Sequence, residues 1–191
     1  MKKLGLAVCG SFCTFDELLP QAESLGQRYE LYPILSEAAC QTDTRFGLAA
    51  AFVKELRAIC GREPITTVEA AEALGPQKLL DALAVAPCTG NTLAKLAAGI
   101  ADTSVTFACK AHLRNRRPVV VAVSTNDGLA AAARNIGELL NRKHYYFVPF
   151  GQDDPERKPR SLAADYGRLE ETILAAHEGR QVEPILGGCP I

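Results

Sequence analysis

The segment Ala86-Pro-Cys-Thr-Gly-Asn-Thr92 sets two hydroxyls, a carboxamide and a glycine in consecutive positions: Thr89, Gly90, Asn91 and Thr92. Hydroxyls and carboxamides donate and accept hydrogen bonds, and a glycine lets backbone approach a bound molecule closely. An apolar run precedes them. Leu93, Leu96, Ala97 and Ile100 follow at helical spacing. Capping of that helix by Thr89 or Asn91 explains part of the pattern. A turn needs fewer such residues, so the excess points to a polar ligand. Gly10-Ser11 sits in the same way, between the apolar run Leu4–Cys9 and Thr14-Phe-Asp-Glu17, which reads as a capping box. Free N–H groups, a hydroxyl and a helix start suit a phosphate, and equally a plain tight turn.

Other chemistries are excluded. Val8-Cys-Gly-Ser-Phe-Cys-Thr14 lacks GxGxxG spacing, and no GxxxxGK[ST] occurs. A mononucleotide with one phosphate fits better than a dinucleotide or a P-loop nucleotide. The histidines are His112, His144 and His177, none in a loop of this kind, so no Ser-His-Asp or Cys-His set is in view. Seven widely spaced cysteines, including Cys189, form no CxxC and no even framework, which fits a reducing cytoplasm. Cys109 and His112 are one helical turn apart but have no second pair, so no metal site is expected.

Positioning these residues requires alternating strands and helices. Strands are predicted at Leu4–Cys9, Tyr29–Leu35, Ala82–Ala86, Val119–Val123 and Tyr145–Pro149. Ile65–Val68 reads either as a short third strand or as the capped start of a helix. Helices are predicted from Thr14, over Phe46–Cys60 (stopped at Gly61), after Asn91, over Thr103–Leu113 and over Asp127–Asn141. A polar loop, 151–161, and a C-terminal helix, 162–178, complete one domain over 1–191. Unbroken apolar strands imply a parallel sheet covered on both faces. The expected fold is a Rossmann-like doubly wound sheet of about six strands with helices on both faces, in the order 3-2-1-4-5-6. Ligands bind at the carboxyl edge of such sheets. That edge collects Gly10-Ser11, Ser36 with Thr42-Asp-Thr-Arg45, Thr89–Thr92, Ser124-Thr-Asn-Asp127 and Gly151-Gln-Asp-Asp154. Asp127 has an explanation as a helix cap; Asn126 has less of one. Arg114-Asn-Arg-Arg117 falls on the opposite edge, as a solvated or subunit-contacting patch.

The chain's 191 residues suffice for one core, and a net charge of −1 draws it to neither nucleic acid nor membrane. No apolar run approaches the roughly 20 residues of a membrane-spanning helix. Met1-Lys-Lys-Leu-Gly-Leu-Ala-Val8 reads as a first core strand rather than a signal peptide.

Ala86–Thr92 resembles the PASANT motif of the flavin-containing cysteine decarboxylase superfamily. Four segments in order resemble, more narrowly, the family of dipicolinate synthase B subunits, over nearly the whole chain. They are Thr44-Arg-Phe-Gly47, Ala86–Asn91, Ser124–Asp127 and Phe150-Gly-Gln-Asp-Asp-Pro155. The resemblance implies FMN held between copies of a homo-oligomer, a trimer or a multiple of it. It implies a partner, the A subunit of dipicolinate synthase, that brings NADP. The reaction implied is oxidation of dihydrodipicolinate to dipicolinate in the mother-cell cytoplasm of a sporulating bacterium. It assigns Gly10, Ser11 and Ser36 to the phosphate end, and Thr89, Gly90, Asn91, Thr92 and Ser124 to the rest of the cofactor. Asn126 stands where the decarboxylases have the asparagine of Pro-x-Met-Asn. A dicarboxylate substrate needs a cation, for which Arg45, Arg157, Lys158 and Arg160 are candidates. Arg45 opens a predicted helix, where its charge opposes the dipole. Asp153 or Asp154 would be the base, provided desolvation raises its pKa toward neutrality. The alternatives are an FMN-dependent decarboxylase and a noncatalytic partner subunit. The superfamily's catalytic histidine and the methionine of Pro-x-Met-Asn are missing here, and Gly90 replaces the alanine of PASANT.

Overall fold

The structure, a computed structural model, describes residues 1–187; Cys189 lies outside the described residues. Parallel strands β1 (Lys2–Val8), β2 (Tyr29–Leu35), β3 (Ala82–Cys88), β4 (Val119–Thr125) and β5 (Tyr145–Phe147) form the sheet in the order β2-β1-β3-β4-β5. Every residue of β3 is buried, as are all of β4 but Thr125, because helices cover both faces. One helical layer packs α1 (Phe15–Gly26) with α3 (Ala49–Cys60) and α8 (Leu169–His177). The other packs α6 (Ser104–Leu113) with α4 (Val68–Glu72) and α5 (Gly90–Ala98), and α5 with α7 (Ala133–Leu140).

The expected order 3-2-1-4-5-6 holds with its third strand reduced to one residue. Ile65 bridges Ile34 at the edge of β2. The Thr67 hydroxyl then accepts from the Ala70 N–H and turns the chain into α4, so both readings of Ile65–Val68 contain part of the truth. α3 ends at Gly61, whose φ of 66° is the left-handed conformation that glycine adopts without strain.

One cap and three boundaries differ from expectation. α1 starts after Thr14, but no capping box forms: the Thr14 hydroxyl donates to Ser11 O instead, at 2.8 Å. α3 begins at Ala49 rather than Phe46, because Thr44 and Gly47 close a tight turn on each other. Arg45 therefore lies outside the helix, and its opposition to the dipole disappears. α7 begins at Ala133 rather than Asp127; residues 127–132 form turns in which Ala130 and Ala132 both donate to Asp127 O.

The fourth correction concerns the C-terminal region. The predicted helix 162–178 opens instead with a strand, β7 (Leu162–Ala164), antiparallel to the end of β4 and to β6 (Phe150–Gly151). Leu162 and Ala164 are buried and Ala163 is half-buried, a period of two that is too short to stand out in the sequence. The polar loop 151–161 thus becomes the tip of a hairpin anchored on β4.

Below the sheet, His112 is buried on α6 and hydrogen-bonded through Nε2 to Pro118 O at 3.1 Å. Burial, with Arg117 nearby, outweighs that bond and pushes its pKa down from 6.5 to about 4. The unfolded chain takes up this proton below 6.5 and the native chain resists until about 4. The stabilisation is therefore whole above pH 6.5 and lost as pH falls toward 4. It amounts to on the order of 3 kcal/mol. Thermal melts of His112→Gln across this window are expected to show a shallower pH dependence than the parent chain. An unchanged slope would remove His112 as its source.

Candidate functional site

The carboxyl ends of β1, β3 and β4 open into a cleft of about 510 Å³, the scale of a small-molecule site. Gly10, Ser11, Phe12, Cys13 and Thr14 supply one wall, Thr89 the floor, Ser124 to Asp127 the opposite wall, and Phe46 and Glu17 the rim. The hairpin contributes Asp153, Lys158, Ser161, Leu162 and Ala163. Its seat is tight. Leu129 N donates to Arg160 O at 2.9 Å, and a Cβ on Gly128 would meet the Leu162 side chain at 2.5 Å.

The Ser11 and Ser124 hydroxyls meet at 2.7 Å, tying the β1 and β4 loops together across the end of β3. The chain then enters a 3-10 turn (Phe12–Thr14) that runs into α1. The Ser11 N–H donates to Cys9 O at 2.9 Å, and the N–H groups that open such a turn after it have no partner within it. Thr89 caps α5, its hydroxyl accepting from the Thr92 N–H at 3.4 Å. Asn126 is exposed on the cleft, and its carboxamide bonds to no other described residue.

Gly10, Ser11, Thr89, Ser124, Asn126 and Asp153 converge as expected. The other expected residues do not line the cleft. Ser36 is the cap of α2 (Glu37–Gln41), its hydroxyl held by the Ala39 N–H at 3.3 Å. Thr92 is buried, its hydroxyl held between Thr89 and the Cys9 thiol, the latter at 3.2 Å. Asn91 is exposed beside the cleft. Asp154 accepts from the Arg157 N–H within its own turn, and Arg157 is exposed. The Arg45 guanidinium lies over the Phe46 ring, 4.8 Å from its centroid, while the ring itself lines the rim. Sequence reasoning did not single out Phe12, Phe46, Ser161, Leu162 or Ala163; the last three enter through the hairpin, and Phe46 through the tight turn at Thr44–Gly47.

The charged groups also depart from expectation. Burial raises the Asp153 pKa, but hydrogen bonds from Lys158, at 2.8 Å, and Ser161 outweigh it, so the carboxyl is held below its usual range. The shift toward neutrality required of Asp153 as a base is absent. Its bond raises Lys158 in turn. Burial pushes the Cys9 thiol up to about 11, which leaves it un-ionised and without nucleophilic character at neutral pH. Gly90 lies under the Thr125–Asp127 pair: a Cβ there would stand 2.7 Å from both Asp127 Oδ1 and Thr125 Oγ1.

Residues 1–158 match the model of the Flavoprotein family. The B subunit of dipicolinate synthase from Bacillus subtilis (strain 168) is 41% identical over 186 residues, covering 97% of this chain and 93% of that protein. The crystal structure of the B subunit of dipicolinate synthase from Bacillus halodurans C superposes with a TM-score of 0.89 at 40% identity, covering 98% of this chain and 96% of that one. The FMN-dependent cysteine decarboxylase SpaF gives a TM-score of 0.67 at 24% identity over 92% of this chain and 97% of its own, a likeness of fold alone.

Since Lys158 holds Asp153 ionised against its burial, Lys158→Met is expected to raise the Asp153 pKa. Carboxyl-carbon NMR titration measures it directly; an unmoved or lowered value would show that Lys158 does not set the charge of this wall.

Proposed function

Because this chain belongs to the flavoprotein family, and within it to the group of dipicolinate synthase B subunits, we propose that it is the B subunit of a dipicolinate synthase. In this reading it works with an NADP-binding A subunit to oxidise dihydrodipicolinate to dipicolinate, in the mother-cell cytoplasm of a sporulating bacterium. The observation that carries the reading is the 41% identity sustained over 97% of the chain. The cleft agrees with it: hydroxyls, a carboxamide and backbone N–H groups surround a space of small-molecule size. No helix among the described residues is long and apolar enough to cross a membrane.

An FMN fits this donor set. The Gly10–Cys13 wall offers N–H groups and the Ser11 hydroxyl to a phosphate, without requiring a cation. Thr89, Ser124 and Asn126 offer polar groups to a ribityl chain, and Phe46 an exposed aromatic face. Bound there, a flavin would supply a hydride acceptor, which no side chain can. Asn91 stands at the open end, where a second copy of the chain would complete the enclosure in a homo-oligomer. A decarboxylase of the same superfamily is disfavoured. His112 is committed to Pro118 O, and His177 lies on α8, away from the cleft.

The test mixes this chain and its NADP-binding partner, each purified, with dihydrodipicolinate and NADP, with and without FMN, and follows dipicolinate. The mixture is expected to form it and this chain alone is not. Full product from the partner in the absence of this chain would overturn the reading. Asn91→Ala is expected to keep the parent's thermal stability and weaken FMN binding about 10-fold, the worth of one hydrogen bond. Equal affinity would remove Asn91 from the cofactor site.

A further inference from the structure

Asp127 lies on the cleft and has no structural task that accounts for it. As the predicted cap of α7 it would need none other, but α7 starts at Ala133, six residues on, and the Asp127 carboxylate caps nothing. Its one hydrogen-bond partner among the described residues is Thr125, whose hydroxyl donates to Oδ1 at 2.5 Å. That bond holds Oδ1 and leaves Oδ2 without a partner among the described residues, on a side chain that lines the cleft with Asn126 and Thr89. The other carboxylates of the cleft are placed differently. Asp153 is engaged by Lys158 and Ser161. Glu17 is exposed in the first turn of α1, where the helix dipole accounts for it.

Gly90 supplies the independent observation. It is the first residue of α5 and has no positive φ, so its backbone does not call for glycine. What excludes a side chain is the Thr125–Asp127 pair, since a Cβ would come within 2.7 Å of both of its bonded oxygens. The two loops are built around this carboxylate: one orients it and the other gives up a Cβ to make room.

We infer that Asp127, oriented by Thr125 and accommodated by Gly90, is the base that takes the ring proton when the dihydropyridine substrate is oxidised. The inference rests on the reading of this chain as part of a dipicolinate synthase. Two C–H bonds on adjacent ring carbons break and one C=C bond forms. One hydrogen leaves as hydride to a pyridine nucleotide or flavin, which is reduced. The other leaves as a proton to Asp127 Oδ2 and passes from there to water. Asp127 is a catalytic residue in this scheme, and Thr125 and Gly90 are positioning residues.

The test compares three variants, each mixed with the NADP-binding partner, dihydrodipicolinate and NADP. Asp127→Asn keeps the shape and the bond from Thr125, so it folds; kcat is expected to fall about 100-fold or more with KM within about 3-fold of the parent. Gly90→Ala presses only on the ends of two movable side chains, which shift to admit it, and thermal melts check that the variant is folded. It is expected to lower kcat about 10-fold by displacing the carboxylate. The same alanine added to Asp127→Asn is expected to cost nothing more, because the group it displaces is already inert. The inference is overturned if Asp127→Asn keeps the parent's kcat, if it changes only KM, or if Gly90→Ala costs the same in both backgrounds. Absence of product with the unmutated chain would overturn the functional reading along with it, an outcome distinct from product formed equally by parent and variant.

Discussion

Burial of the central strands on both faces is the constraint from which the rest of this structure follows. All seven residues of β3 are buried, and β1 and β4 flank it with residues of the same kind. A polar side chain in those strands would lose its hydration with nothing to replace it, at a cost of about 1–3 kcal/mol. Polar chemistry is thereby pushed off the strands and onto their ends. Parallel strands all end on one edge, so the loops after β1, β3 and β4 meet without any one of them being long.

Meeting at an edge is not the same as facing a ligand, and the hydroxyls divide on this point. Thr92 turns back into the core and satisfies Cys9. Ser36 and Thr89 satisfy N–H groups at the starts of α2 and α5. Ser11 and Ser124 bond to each other over the end of β3 and so keep the two walls in register while still facing the cleft. A hydroxyl already committed to a helix start can still border a ligand, as Thr89 does. One buried against a thiol cannot.

The layout of the sheet was legible because it rests on long patterns. Five apolar runs separated by helical periodicities specify a doubly wound sheet; the strand order is not contained in the periodicity and was one choice among those such sheets take. The edge rule then located Gly10, Ser11, Thr89, Ser124 and Asn126 on the cleft. What could not be read depends on short or long-range contacts. β6 and β7 have two and three residues, and the pairing of β7 with β4 spans about forty positions of sequence. Without that hairpin, Lys158 and Ser161 have no visible relation to Ser124. Asp127 looked like a cap because it precedes a helical pattern. The turns at 127–132, held to Arg160 O through Leu129 N, postpone the helix and release the side chain. Gly90 posed a question that only contact distances could answer, since the atoms it avoids lie more than thirty residues away.

The charge of the cleft bears on why such a chain would work as one member of a pair. Its walls carry Glu17, Asp127 and Asp153 against one lysine, Lys158, and that lysine is paired with Asp153. Arg45 stacks on Phe46 at the rim, and Arg157 is exposed on the hairpin. A dianion entering this cleft meets N–H groups and hydroxyls but no unpaired cation on the walls themselves. Those groups can fix a small polar molecule in place, yet they do not neutralise two carboxylates, and an uncompensated charge pair in a closing site is costly. A second chain laid over the opening would bring the countercharge at the step that excludes water. On the proposed reading, this chain would supply shape and a held carboxylate and its partner the countercharge, and neither surface would be a complete site until the two were joined.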